Sequence, residues 1–123
     1  MPIHWKILHS ERLVVATTEG VVTLNDVEPY LDAVVTEDAM PYAKIFDATD
    51  IDPRASDDDV MMLAARMRAY VATIEGGPLA FVVTTPEARA FVDRYLNLTA
   101  AQRPVRIFAR LEDAQEWLHQ LAR

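Results

Sequence analysis

The residues of this chain best placed to do chemistry lie in one stretch, Lys44-Ile45-Phe46-Asp47-Ala48-Thr49-Asp50-Ile51-Asp52-Pro53-Arg54-Ala55-Ser56-Asp57-Asp58-Asp59. Six aspartates and Arg54 fall within thirteen residues, a local charge of −5. Clustered carboxylates are what hard cations bind, and a single strand-end aspartate can act as a general acid or base. The cation chemistry lacks its framework. A calcium loop of the helix–loop–helix kind needs Gly at its sixth position and Glu at its twelfth, and no register supplies both. A phospho-accepting Asp47 would need further acids after the first strand to hold magnesium, and that strand ends in Leu8-His9-Ser10. His4, His9 and His119 are far apart and lack zinc-ligand spacing. Ser10 and Ser56 lack a Gly-x-Ser-x-Gly elbow. Only Gly20, Gly76 and Gly77 are present, so there is no phosphate-cradling glycine loop. The sequence thus holds no complete catalytic set, and neither a metal nor a cofactor is expected.

Those residues must be positioned by ordinary elements. Ala43 to Asp47 reads as a buried strand opening into an acidic loop. Ser56 then caps a helix running to about Glu75, and Asp57, Asp58 and Asp59 oppose the positive end of its dipole. Gly76-Gly77-Pro78 stops it, with Gly free to take a left-handed C′ conformation. Upstream, His4–His9 and Leu13–Thr18 form a hairpin. Gly20 allows a bend or bulge before Val21. Leu24, Val27, Leu31, Val34 and Val35 recur at helical spacing. Pro29 is tolerable in a first turn, which favours a cap near Asn25 over one at Thr23. Downstream, Leu79–Thr84 is an apolar strand. Pro86 opens a helix with inner face Ala88, Phe91, Val92, Tyr95 and Leu96. Val105–Ala109 is the fifth strand, and Leu111–Leu121 the last helix, with Ala114, Trp117, Leu118 and Leu121 inward. The order is ββαβαβαβα, an α/β fold with a mixed five-stranded sheet, an antiparallel N-terminal hairpin and right-handed crossovers thereafter.

The 123 residues suit one domain, spanning 1–123. There are no cysteines, which excludes disulfides and thiolate chemistry. No apolar run approaches the ~18 residues of a membrane helix, and a cytoplasmic soluble protein is expected. The net charge of −7 is uneven: residues 1–60 carry −9 and residues 61–123 carry +2. So acidic a chain is a poor nucleic-acid binder. Arginines 66, 68, 89, 94, 103, 106 and 110 read as solvated surface.

Three pieces carry a likeness. They are Glu19-Gly20-Val21-Val22-Thr23 before the first helix; Ile45-Phe46-Asp47-Ala48-Thr49-Asp50-Ile51; and Val105-Arg106-Ile107-Phe108 followed by Glu112-Asp113-Ala114 and Trp117-Leu118. In order and spacing the chain resembles the SpoIIAA-like family, of STAS-like fold, whose relatives are also described as STAS/SEC14 domains. In the anti-sigma-factor antagonists of that superfamily a strand ends in Asp-Leu-Ser, and Asp-Ser-Ser-Gly-Leu follows with a phosphorylatable serine. Asp47 and Thr49 match the strand-end acid and hydroxyl, and Ser56 falls at the serine. Ala55, Asp57, Asp58 and Asp59 replace its neighbours. A phosphate of roughly −1.5 to −2 charge beside three aspartates would be repelled, so Ser56 is expected to be a structural cap.

Residues Asp47, Thr49, Asp50, Ser56 and Asp57 are therefore expected to form a regulatory, partner-binding surface. The second helix adds another feature. Val60, Leu63, Ala64, Met67, Tyr70, Val71 and Ile74 form its inner stripe, yet Met61, Met62 and Ala65 lie elsewhere on the wheel. They are expected to offer an apolar contact surface. The resemblance implies a non-enzymatic binding module acting on a protein partner. The alternative is a carrier or sensor of a small apolar ligand or lipid, of SEC14 type. An enzyme using Asp47 is a third reading. A homodimer through the second helix or the edge hairpin is also expected.

Overall fold

Apolar β-branched runs pair into a single sheet in the computed structural model, which describes residues 3–52, 57–71, 76–99 and 103–122. In chain order the elements are β1 (Ile3–Leu8), a 3₁₀ turn (His9–Glu11), β2 (Leu13–Val21), α1 (Leu24–Thr36), β3 (Ala43–Asp52), α2 (Asp57–Val71), β4 (Leu79–Val82), α3 (Pro86–Thr99), β5 (Val105–Phe108) and α4 (Leu111–Leu121). The strands lie in the order β1-β2-β3-β4-β5. The β1–β2 pair is antiparallel and the rest are parallel. The α/β class and the mixed five-stranded sheet are as expected from the sequence.

Each crossover from β2 to β5 steps to the next strand in the same direction. Right-handed crossovers then place α1, α2 and α3 on one face. The last helix, α4, covers the other, burying Ala114 and Leu118 against Ile45, Ala80 and Val82. On the three-helix face Val14, Ala16, Val27, Leu31 and Val34 form one part of the core. Ala48, Leu79, Phe81, Ala88 and Val92 form the other. The middle helix, α2, packs against α1 and α3, and its Leu63 and Met67 pack on the core.

Several local expectations are corrected. The first strand starts at Ile3 and ends at Leu8, and His9 begins a 3₁₀ turn. The cap of α1 is Thr23, not Asn25: its N–H and Oγ1 both donate to Asp26 Oδ2, each at 2.9 Å. That reciprocal box outweighs the local cost of Pro29, which lies inside the helix at its second turn. The fourth strand stops at Val82 and the fifth at Phe108. Leu121 is 44% exposed rather than inward. Neither Gly76 nor Gly77 has positive φ. Gly77 is needed for close approach instead, since a Cβ there would lie 2.3 Å from the carbonyl oxygens of Pro41 and Tyr42.

The largest correction concerns the acidic stretch. Strand β3 does not end at Asp47 but continues to Asp52, with Asp50, Ile51 and Asp52 beside Glu19, Gly20 and Val21. Between Thr17 and Glu19 on β2 there are two steps, and between their partners Asp47 and Asp50 there are three. The extra residue is a bulge on β3, not on β2 at Gly20, although Gly20 is left-handed at φ +69°. A bulge reverses the alternation of side chains. It returns Ile51 to the face of Phe46, where both pack on the core, and turns Asp50 and Asp52 to the opposite face.

Candidate functional site

Among the expected site residues, Asp47 and Thr49 meet. Asp47 Oδ1 accepts from the Thr49 N–H at 3.1 Å and from Thr49 Oγ1 at 2.8 Å. Buried Thr18 donates from Oγ1 to the Asp47 carbonyl at 3.4 Å. These bonds hold the bulge; the carboxylate serves the backbone beside it. Asp47 pairs with Val82, whose side chain packs towards α4. The acid is therefore on the sheet face away from α2. Asp50 is exposed on the strand extension. Met61 and Met62 are 56% and 54% exposed on α2, and Ala65 is exposed beside them. The fold thus sets the acidic strand end and the methionine face on different layers. Ser56 and the side chain of Asp57 lie outside the described residues, as do the side chains of Tyr70 and Val71 and the whole of Ile74. Among the described residues no group of three acids or histidines converges to hold a metal ion, and no helix is long and apolar enough to cross a membrane.

A second site lies beneath α2, and the sequence reading missed it. A cavity of about 90 Å³ lies between α2 and strands β3 and β4. An aromatic series, Trp5–Tyr30–Phe46–Phe81–Tyr95, crosses this region with centroids 5.8, 6.0, 5.6 and 6.3 Å apart. Leu63 and Met67 of α2 form the roof.

Two cations line this apolar space. Lys44 alternates inward on β3 beside Phe46 and is only 5% exposed. Its Nζ donates to the carbonyls of Met40 and, at 2.8 Å, Tyr42. Burial, and then the nearby Arg103 charge, bring Lys44 from 10.5 down to about 7. Arg103, expected to be a solvated arginine, enters the cavity from the segment before β5. Its Nη1 is buried with no hydrogen-bond partner. Burial also lowers the Arg103 pKa, an effect opposed by Tyr95 and Tyr30. Both phenols are held neutral by burial, with Tyr95 pushed up to about 12 and Tyr30 raised further. Gly76 leaves room for the guanidinium: a Cβ there would lie 3.0 Å from Arg103 Nη1. No carboxylate lines the cavity among the described residues.

The signal for Lys44 was available. A lysine flanked by Ala43, Ile45 and Phe46 in a strand covered on both faces must be buried or at the rim. Arg103 gave no signal, because its inward turn depends on Gly76, 27 residues earlier in the chain but adjacent in space.

No known family's sequence profile matches the chain, and no curated protein matches it. Among solved structures it is similar to an uncharacterised protein of the DUF3478 family with a SpoIIAA-like fold, from Shewanella loihica PV-4. The identity is 18%, covering 94% of this chain and 93% of that one, with a TM-score of 0.65. It is also similar to an anti-sigma factor antagonist from Mycobacterium paratuberculosis, at 16% identity, 95% and 94% coverage and a TM-score of 0.58. The fold is SpoIIAA-like.

Proposed function

We propose that this SpoIIAA-like chain is a non-enzymatic regulatory module that binds a protein partner through the solvent face of α2. The observation that carries the reading is the exposure of Met61 and Met62, the two most exposed large apolar side chains among the described residues. Methionine suits an adaptable contact surface, and exposed apolar side chains grouped together mark interaction sites. Exposed Asp58 flanks them on one side and exposed Arg68 on the other, which favours a partner surface that is apolar at its centre and charged at its rim. The neighbouring antagonist of an anti-sigma factor gives the fold a precedent for partner binding. Asp47, Thr49 and Asp50, facing the other layer, are proposed as a second contact edge. A homodimer is proposed as well, through α2 or the open edge of β1.

The test is affinity capture with the wild-type chain and with Met61→Glu/Met62→Glu, each at low and high salt. The expected result is a specific, stoichiometric partner, weakened by salt and lost in the double variant. A partner retained equally by the double variant would remove α2 from the reading.

A further inference from the structure

We infer that the cavity beneath α2 is a binding site for a small amphipathic monocarboxylate, with its head between Lys44 and Arg103 and its hydrocarbon among Phe46, Leu63, Met67 and Phe81. This goes beyond partner docking and does not depend on it.

The argument begins with cost. A buried guanidinium nitrogen with no acceptor forfeits a charge-assisted hydrogen bond, and a buried lysine resists its charge. A chain that needed only a packed core would place a leucine at either position. Here both cations turn towards the same apolar space, and no acid among the described residues accompanies them. An anion entering that space would accept from Arg103 Nη1 and from the third proton of Lys44, whose other donors are directed to the Met40 and Tyr42 carbonyls. The guanidinium fork suits a carboxylate. A single carboxylate accepts from both cations, and it holds Lys44 in the ammonium form whose third proton it receives. Tyr30 and Tyr95, from α1 and α3, complete the titratable groups of the lining as neutral phenols. Leu63 and Met67, the lining residues of α2, carry no charge.

Size limits the tail. An apolar protein cavity of ~150 Å³ accepts benzene. The cavity here, at about 90 Å³, fits a short unbranched chain. Butyrate and hexanoate are therefore the probes, with hexanol as the partner of hexanoate that lacks the charge.

The full chain is measured by thermal shift and by titration calorimetry against all three probes, as wild type, Lys44→Met, Arg103→Met and the surface control Arg89→Met. Hexanoate is expected to raise the melting temperature of the wild type and of Arg89→Met, and hexanol to raise it far less. In Arg103→Met the affinity for hexanoate should fall about ten-fold or more, the scale of one lost charge-assisted hydrogen bond. Carbon NMR of carboxyl-labelled hexanoate with the wild type supplies a readout that needs no variant: the bound carboxylate should remain ionised below the pH at which free hexanoate protonates. Equal shifts with hexanol and hexanoate, undiminished hexanoate binding by Arg103→Met, or no shift with either carboxylate would overturn the assignment. None of these outcomes bears on partner capture by Met61 and Met62.

Discussion

Lys44 is the residue whose environment departs furthest from what its side chain prefers. In the unfolded chain it titrates at 10.5, and in the fold at about 7. Between those values the unfolded chain binds a proton that the folded chain releases. Stability is therefore lowest below about pH 7, where the folded state must hold the buried charge, and rises with pH towards the ordinary lysine value. Above pH 10 the tyrosines reverse the trend, because Tyr30 and Tyr95 stay protonated in the fold and ionise when unfolded. Urea denaturation between pH 7 and 9.5 should show the wild type gaining a few kcal/mol. Lys44→Met should flatten that gain, whatever its absolute stability, since it also strips two carbonyls of a donor. An equal slope in both proteins would mean that Lys44 stays protonated in the fold. Asp47 makes the contrast. It stood out in the sequence as a candidate acid or base, and its carboxylate instead accepts two bonds from Thr49 at a bulge. A residue's type was legible; the job its neighbours gave it was not.

At the level of elements, the turn from Gly76 to Pro78 shows how tightly one connection is held. The Gly77 N–H donates to the Met40 carbonyl at 2.9 Å, and the Lys44 N–H to the Pro78 carbonyl at 2.8 Å. Gly77 has no space for a side chain, because backbone rather than side-chain atoms block it. Gly77→Ala is expected to destabilise by about 2–3 kcal/mol, as overpacking against atoms that cannot move aside does. Gly76→Ala meets the far end of Arg103, which can swing away, and should cost clearly less. Chemical denaturation of both variants checks the order, and a reversal would contradict the close approach. These glycines were visible as punctuation, and the start of β4 at Leu79 followed from them. Their physical reason was not visible, because close approach is a property of two segments thirty-odd residues apart and not of a local turn. The same limit applies to β3. Apolar alternation located its start, but its last three residues follow a bulge, and a bulge erases the period by which strands are recognised. The acidic loop expected after Asp47 was that lost periodicity.

Across the whole molecule, the strand and helix order was legible because each crossover carries its own apolar pattern and the handedness rule leaves one arrangement. The cavity was not, because its lining is drawn from α1, β3, α2, β4, α3 and the segment before β5, which no single segment encodes. That arrangement has a dynamic consequence. A helix above a space forgoes apolar contacts on that side and opens at lower free energy than one without it, and filling the space adds apolar contacts to Leu63 and Met67. The opposite helix, α4, seals the other face through Ala114, Leu118 and Trp117 and touches none of the cavity. Hydrogen exchange in saturating hexanoate should therefore slow most in residues 57–71 and much less in residues 111–121. If both helices slow equally, the ligand acts only on global unfolding, and α2 is not a separately opening roof. A difference confined to α2 would place ligand occupancy under the very helix that presents Met61 and Met62 to solvent.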